Sequence, residues 1–147
     1  MALMFTNCTG LTDLSGIALP SSRSPYCFQQ MFYGCTSLTA APSWNTPGTS
    51  SYIGRYQGMF INCSSLAKAS VPDSAMDGQN AFGQMFYLCG SLSEMDVNFT
   101  GPFSTTAFRY WMMGVGSSGT WKCPEGADVS VRGESGIPAG WTIEYKS

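Results

Sequence analysis

The sequence predicts an α/β solenoid of about five helix–turn–strand units, closed by a small C-terminal β cap. Three observations predict it. A cassette recurs at steps of 27, 28 and 26 residues: MFTNCTGL from Met4, MFYGCTSL from Met31, MFINCSSL from Met59 and MFYLCGSL from Met85. Within each copy the apolar positions have the spacing of one helical face. After Gly116 the pattern gives way to alternating apolar residues between Pro/Gly turns, as in short strands. Self-similarity at such a period marks one supersecondary element stacked on its neighbours.

Each element follows in order. An aromatic residue stands three before the cassette Met (Phe28, Tyr56, Phe82), and Phe, Cys and Leu stand one, four and seven after it. Start signals precede this stripe: Ser24 before Pro25, Ser50 and Ser51 before Tyr52, Asp77 before Asn80, and Ser104 with Thr105 before Phe108. Thr9-Gly10, Thr36-Ser37, Ser64-Ser65 and Gly90-Ser91 suit a chain leaving a helix. An extended run then starts at Leu11, Leu38, Leu66 or Leu92, with its second apolar residue at Leu14, Ala41, Ala69 or Met95. A degenerate fifth copy begins at Ala107, with Trp111 in the Met position and Val115 where Cys would stand.

In the tail, Trp121 with Cys123, Val129 with Val131, and Trp141, Ile143 and Tyr145 alternate as strands. Thr142, Glu144 and Lys146 give the last strand a polar edge. The expected organisation is a solenoid over 1–116 and a cap over 117–147. Units must stack to fold. Burying the Met, Phe, Cys and Leu of one unit contributes roughly 10 kcal/mol, whereas ordering its residues costs roughly 1 to 2 kcal/mol apiece.

Composition narrows the function. The chain has 147 residues, 44% of them hydrophobic, 11% charged, and a formal net charge of -2. That leaves no basic stripe for nucleic acid or an anionic membrane, and no apolar run approaches the roughly 20 residues that cross a bilayer. Met1-Ala2-Leu3 runs straight into the first cassette without a capping element, which suggests a fragment of a longer protein.

The MFxxCxSL cassette with its 26-residue step, from about Met4 to Val115, resembles the BspA-type leucine-rich repeats of bacterial surface and lipoprotein-associated proteins. The Gly136 to Thr142 segment, GIPAGWT, looks like the ending that closes such arrays in Bacteroidetes and phage-encoded proteins. The segments between cassettes are richer in Pro and Gly than the Asp- and Asn-rich ones of that family. The resemblance implies a leucine-rich-repeat fold and an extracellular or cell-surface adhesion module. Its partner would be a protein or glycan on a host or neighbouring cell, and no catalytic residue is implied.

Other constellations have plainer readings. Cys8, Cys35, Cys63 and Cys89 should form a buried column; metal sites need close pairs, and stacked side chains rarely meet disulfide geometry. The chain has no His, which removes the usual nucleophile systems and the commonest metal ligand. No cofactor or metal is expected. Glu94 and Asp96 sit on one strand face without the seclusion a glycosidase acid needs, and Asp77-Gly78 lacks the alternating ligands of a calcium loop. The sequons at Asn7, Asn62 and Asn98 are read as packing rather than glycosylation.

A contact surface is expected on the strand face, at Thr12, Asp13, Thr39, Lys68, Ser93 and Glu94, with the outward aromatics Tyr33 and Tyr87 and the loop residue Trp44. The expected function is therefore non-catalytic recognition. The competing reading is a structural or phage tail component that self-associates through an uncapped N-terminal end, and a carbohydrate-active enzyme fragment stands third.

Overall fold

The computed structural model describes residues 2–17, 19, 24–42, 44, 52–71, 78–100 and 104–147. Among them there is no helix. Four strands, β1 (Lys68–Ser70), β2 (Glu94–Asp96), β3 (Gly119–Pro124) and β4 (Trp141–Lys146), form one parallel sheet in the order β1-β2-β3-β4. The expected helix–turn–strand solenoid is thereby overturned: the cassettes are not helical, and two of the four strands belong to the tail. The proposed helix starts at Ser50, Ser51 and Asp77 lie outside the described residues.

In place of helices, the cassettes form chains of overlapping turns. The N–H groups of Gln29, Met31, Tyr33 and Cys35 donate to the carbonyls three residues back, of Tyr26, Phe28, Gln30 and Phe32, at 3.1 to 3.3 Å. The N–H groups between them point along the stack instead. Phe28, Gln30, Phe32 and Gly34 donate to the carbonyls of Arg55, Gln57, Met59 and Ile61 at 2.8 to 3.0 Å. The same forward bonding joins the Met4 coil to the Met31 coil, the Met59 coil to the Met85 coil, and that coil to the one around Trp111. Backbone groups that an α-helix would satisfy internally thus hold successive coils together.

The turns require a left-handed residue at every fourth position. Tyr26, Gln30 and Gly34, then Gly54, Gly58 and Asn62, then Asn80, Gln84 and Leu88 all have φ between 50° and 70°. Asn and Gly occupy this conformation at least cost, and the cassette places Asn7, Gly34 and Asn62 there. The inward residues still fall at Phe28, Met31, Phe32 and Cys35, all fully buried. A four-residue turn period and a 3.6-residue helix share that spacing, so the apolar pattern alone does not separate them.

Stacking aligns equivalent side chains into columns. Phe5, Phe32, Phe60 and Phe86 lie ring over ring with centroids 5.4, 5.5 and 5.4 Å apart. A second column runs through Phe28, Tyr56, Phe82 and Phe108 at 5.6, 5.3 and 4.9 Å. Parallel, offset rings of this kind add roughly 0.5 to 1.5 kcal/mol per pair to the burial of their area. Beside them, the thiols of Cys35, Cys63 and Cys89 donate to the carbonyls of Phe5, Phe32 and Phe60 at 3.1, 3.2 and 3.0 Å. One core cluster takes in these columns together with Leu38, Leu66, Leu92, Met95 and Trp121.

The sheet begins two residues later than the sequence suggests. Leu66 and Leu92 are buried in turns, and pairing starts at Lys68 opposite Glu94. Upstream, the Leu38 run supplies a single bridge from Ala40 to Lys68, and the Leu11 run is tied on by the Thr39 N–H to the Thr12 carbonyl. Trp121 and Cys123 lie in β3, and Trp141, Ile143 and Tyr145 in β4, whereas Val129 and Val131 lie in no strand.

The tail also closes the turn stack. Ser135 Oγ accepts the Tyr110 N–H at 3.1 Å, and the Gly136 carbonyl accepts the Trp111 indole N–H at 2.9 Å. The Trp141 indole N–H donates to the Gly116 carbonyl at 2.9 Å. A Cβ at Gly140 would run into the Ser117 carbonyl oxygen, so the glycine of the GIPAGWT segment answers a close approach.

Replacing Gln30, left-handed at φ 50°, by Gly is expected to raise unfolding stability by about 1 kcal/mol in urea titration. In a helix the same change would lower it by about 1 kcal/mol. The sign of the shift separates the two structures.

Candidate recognition surfaces

The outward face of the sheet is a register-locked grid of polar side chains. Lys68, Glu94, Thr120 and Thr142 stand in one row, and Ser70, Asp96, Lys122 and Glu144 in the next. Glu94 lies between two lysines, 3.8 Å from Lys68 Nζ and 3.4 Å from Lys122 Nζ. The Lys146 ammonium is paired with Asp96 and donates to the Val97 carbonyl at 2.7 Å and to Asn98 Oδ1 at 2.6 Å. It reaches these partners across Pro124, its neighbour in β3, so the final strand is strapped back onto β2. Exposed ion pairs contribute about 0 to 1 kcal/mol each; here they mainly fix where the charges sit.

The expected contact residues divide into two groups. Thr12, Asp13, Thr39, Lys68 and Ser93 are exposed and Glu94 is half-buried, all along the sheet and its upstream extension. Asp13 is engaged locally: its carboxylate accepts the Ser15 N–H at 2.8 Å and the Ser15 hydroxyl at 2.7 Å, bonds that hold its carboxyl below the usual range. The aromatics are less available. Tyr33 and Tyr87 are half-buried, and Ile61 is buried at the same cassette position between them. Trp44 donates its indole N–H to the Ser70 carbonyl at 2.8 Å and sets its ring edge on Tyr56, 5.5 Å between centroids. Its ring is thus held against the stack.

Neither Glu94 nor Asp96 builds a paired-acid site. Such a site needs one carboxyl held away from cations, and both of these carry lysine partners. Among the described residues no group of three or more His, Cys, Asp or Glu is placed to hold a metal ion.

Two concavities were not anticipated. One, about 280 Å³, lies where the fifth coil meets the cap, between Met112, Met113, Gly114 and Gly133, Glu134, Pro138. The other, about 210 Å³, is polar and opens on the turn stack between Gln57, Asn80, Gly83, Gln84, Arg109 and Tyr110. The sequence signal for the second is an interruption. The position two before the cassette Met holds Gln29, Gln57 and, in the fifth copy, Arg109, but Gly83 in the fourth.

Three thiols of the cysteine column, Cys35, Cys63 and Cys89, are fully buried. All six cysteines are free. Burial pushes the Cys35 and Cys63 thiols up, and it pushes Cys89 up to about 12 from the ordinary 9.0. The thiolate is the reactive form, and burial disfavours it at these three positions.

No family model, no curated protein and no solved structure matches the chain.

The folded state holds the Cys89 proton more tightly than the unfolded chain does. Its contribution to stability is therefore complete below pH 9.0 and is lost as pH rises from there toward about 12. Urea unfolding across pH 8 to 11 should show this fall, with a shallower one in Cys89→Ala. An equally steep fall in the variant would remove Cys89 as a source.

Proposed function

We propose that the protein is a non-catalytic recognition module, extracellular or at a cell surface, that contacts a protein or glycan. The observation that carries this reading is the sheet face, where Lys68, Glu94, Lys122, Asp96 and Lys146 are fixed in register by ion pairs on a continuously bonded stack. A rigid polar surface of alternating charge loses little side-chain entropy on binding and suits an extended partner. The lysine partners of Glu94 and Asp96 and the burial of Cys35, Cys63 and Cys89 support recognition over chemistry. The resemblance of the MFxxCxSL cassette to BspA-type surface repeats points to the same class.

The test is binding to a glycan array and to immobilised host surface glycoproteins, comparing the native chain with Lys68→Ala/Lys122→Ala. Saturable binding weakened about tenfold or more in the variant is expected, as for loss of charged contacts. No binding to either panel would overturn the reading, and binding indifferent to the substitutions would remove the sheet face as its site.

A structural role has one observation in its favour. The carbonyls of Ala2, Met4 and Thr6 occupy the positions that accept forward N–H groups elsewhere, and among the described residues nothing donates to them. The N-terminal face is thus a row of acceptors suited to a coil that presents donors. Two such faces cannot bond to each other, and at the other end Ser135 already takes the Tyr110 N–H. The docked element would therefore be a turn-built coil that presents donors. Appending one further cassette unit ahead of Ala2 is expected to raise the thermal midpoint while the chain stays monomeric by light scattering.

A further inference from the structure

We infer that the notch at Gly83 is a binding site for a carboxylate-bearing sugar residue, a deepening that rests on the recognition reading above. The notch has a specific origin. Along the column two residues before the cassette Met, Gln29 Nε2 donates to Gln57 Oε1 at 3.5 Å, and Arg109 continues the column two coils beyond Gln57. Gly83 stands between Gln57 and Arg109, and its missing side chain opens the gap. The coil steps beside it are 5.3 and 4.9 Å, measured in the adjacent ring column from Tyr56 through Phe82 to Phe108.

Gly83 lacks the left-handed φ of Gly54 and Gly58, so its backbone angles do not call for glycine, and a Cβ on it would press on Asn80, 3.3 Å from the Asn80 Cβ and 3.4 Å from its Cα and carbonyl oxygen. What a longer side chain would do is fill a space of about 210 Å³. That is smaller than the roughly 300 to 1,000 Å³ of sites for drug-sized ligands and suits a single sugar ring.

The walls define the chemistry. Asn80, Gln57 and Gln84 each offer an amide donor and acceptor, the pairing that neighbouring hydroxyls require. Arg109 is exposed, has no acidic partner among the described residues, and holds its guanidinium 5.4 Å from the Tyr110 ring centroid. A guanidinium propped on an aromatic face is preorganised for two parallel bonds to a carboxylate. Tyr110, 39% exposed, leaves ring surface for the apolar face of a sugar. Amides for hydroxyls, a planar cation for a carboxylate and a ring for the sugar face together select an acidic saccharide over a neutral one.

The experiment is NMR titration of the labelled full chain with trigalacturonic acid and sialyllactose, using lactose as the neutral control. Shifts at Gln57, Gln84 and Arg109 with either acidic sugar, and none with lactose, are expected. Arg109→Gln and Gly83→Gln should each weaken binding about tenfold or more, as for loss of a charged hydrogen bond or of the space. Gly83→Ala, which adds one methyl, serves if the larger side chain perturbs folding, with far-ultraviolet dichroism and the urea midpoint as controls. No saturable shift with either acidic sugar, equal response to lactose, or binding unchanged in both Gly83 variants would overturn the assignment. Lys68→Ala/Lys122→Ala should leave this binding intact. Loss of the notch with retained sheet-face binding would thus sink this inference alone.

Discussion

The structure depends on where alternate backbone N–H groups go. One of each pair closes a turn on its own coil, and the other crosses to a carbonyl of the next. Each buried coil therefore satisfies its polar backbone only in the company of a neighbour, as buried backbone groups must. The aromatic columns and the thiol-to-carbonyl bonds follow from that register, because equivalent residues are brought to the same height in successive coils. A chain held in this way cannot lose one coil without stranding donors on the coil before it.

Much of this was legible in the sequence, and the turn-built backbone was not. The cassette period, the columns of Phe and Cys and the strands around Trp121 and Trp141 follow from spacing and composition. In the Met59 coil, Gly54, Gly58 and Asn62 at four-residue intervals favour left-handed positions, which the apolar spacing hides. Asn and Gly recurring within one apolar stripe was the available signal, since both are poor helix formers. Among surface residues, Lys68 and Glu94 stand opposite each other on the sheet. Trp44 is engaged by Ser70 and Tyr56, which its place between two apolar runs did not reveal.

The two ends of the stack differ in chemistry as well as in covering. At the C-terminal end, a serine hydroxyl and a glycine carbonyl stand in for the next coil, and β4 is strapped down by the Lys146 ammonium. At the other end, the acceptors of Ala2, Met4 and Thr6 and the half-buried Phe5 and Cys8 present what the interior of the stack presents. Because donors run forward and acceptors face back, the stack has a direction. That polarity restricts what can extend it, independently of any apolar attraction at its face.

Direction and register also explain how the outward face can vary while the stack is kept. Outward positions repeat at the coil spacing, but each is bonded through its backbone, so its side chain can change without cost to the columns inside. Gly83 illustrates the point: Phe82 beside it keeps its place between Tyr56 and Phe108 at 5.3 and 4.9 Å, while the outward column is broken by one missing side chain. In a helical unit a glycine at that position would weaken the element that carries it. In a turn stack, where the bonds of Gly58 N–H to the Gly83 carbonyl and of Gly83 N–H to the Asn80 carbonyl are independent of the side chain, the surface can be recessed while the scaffold stays intact.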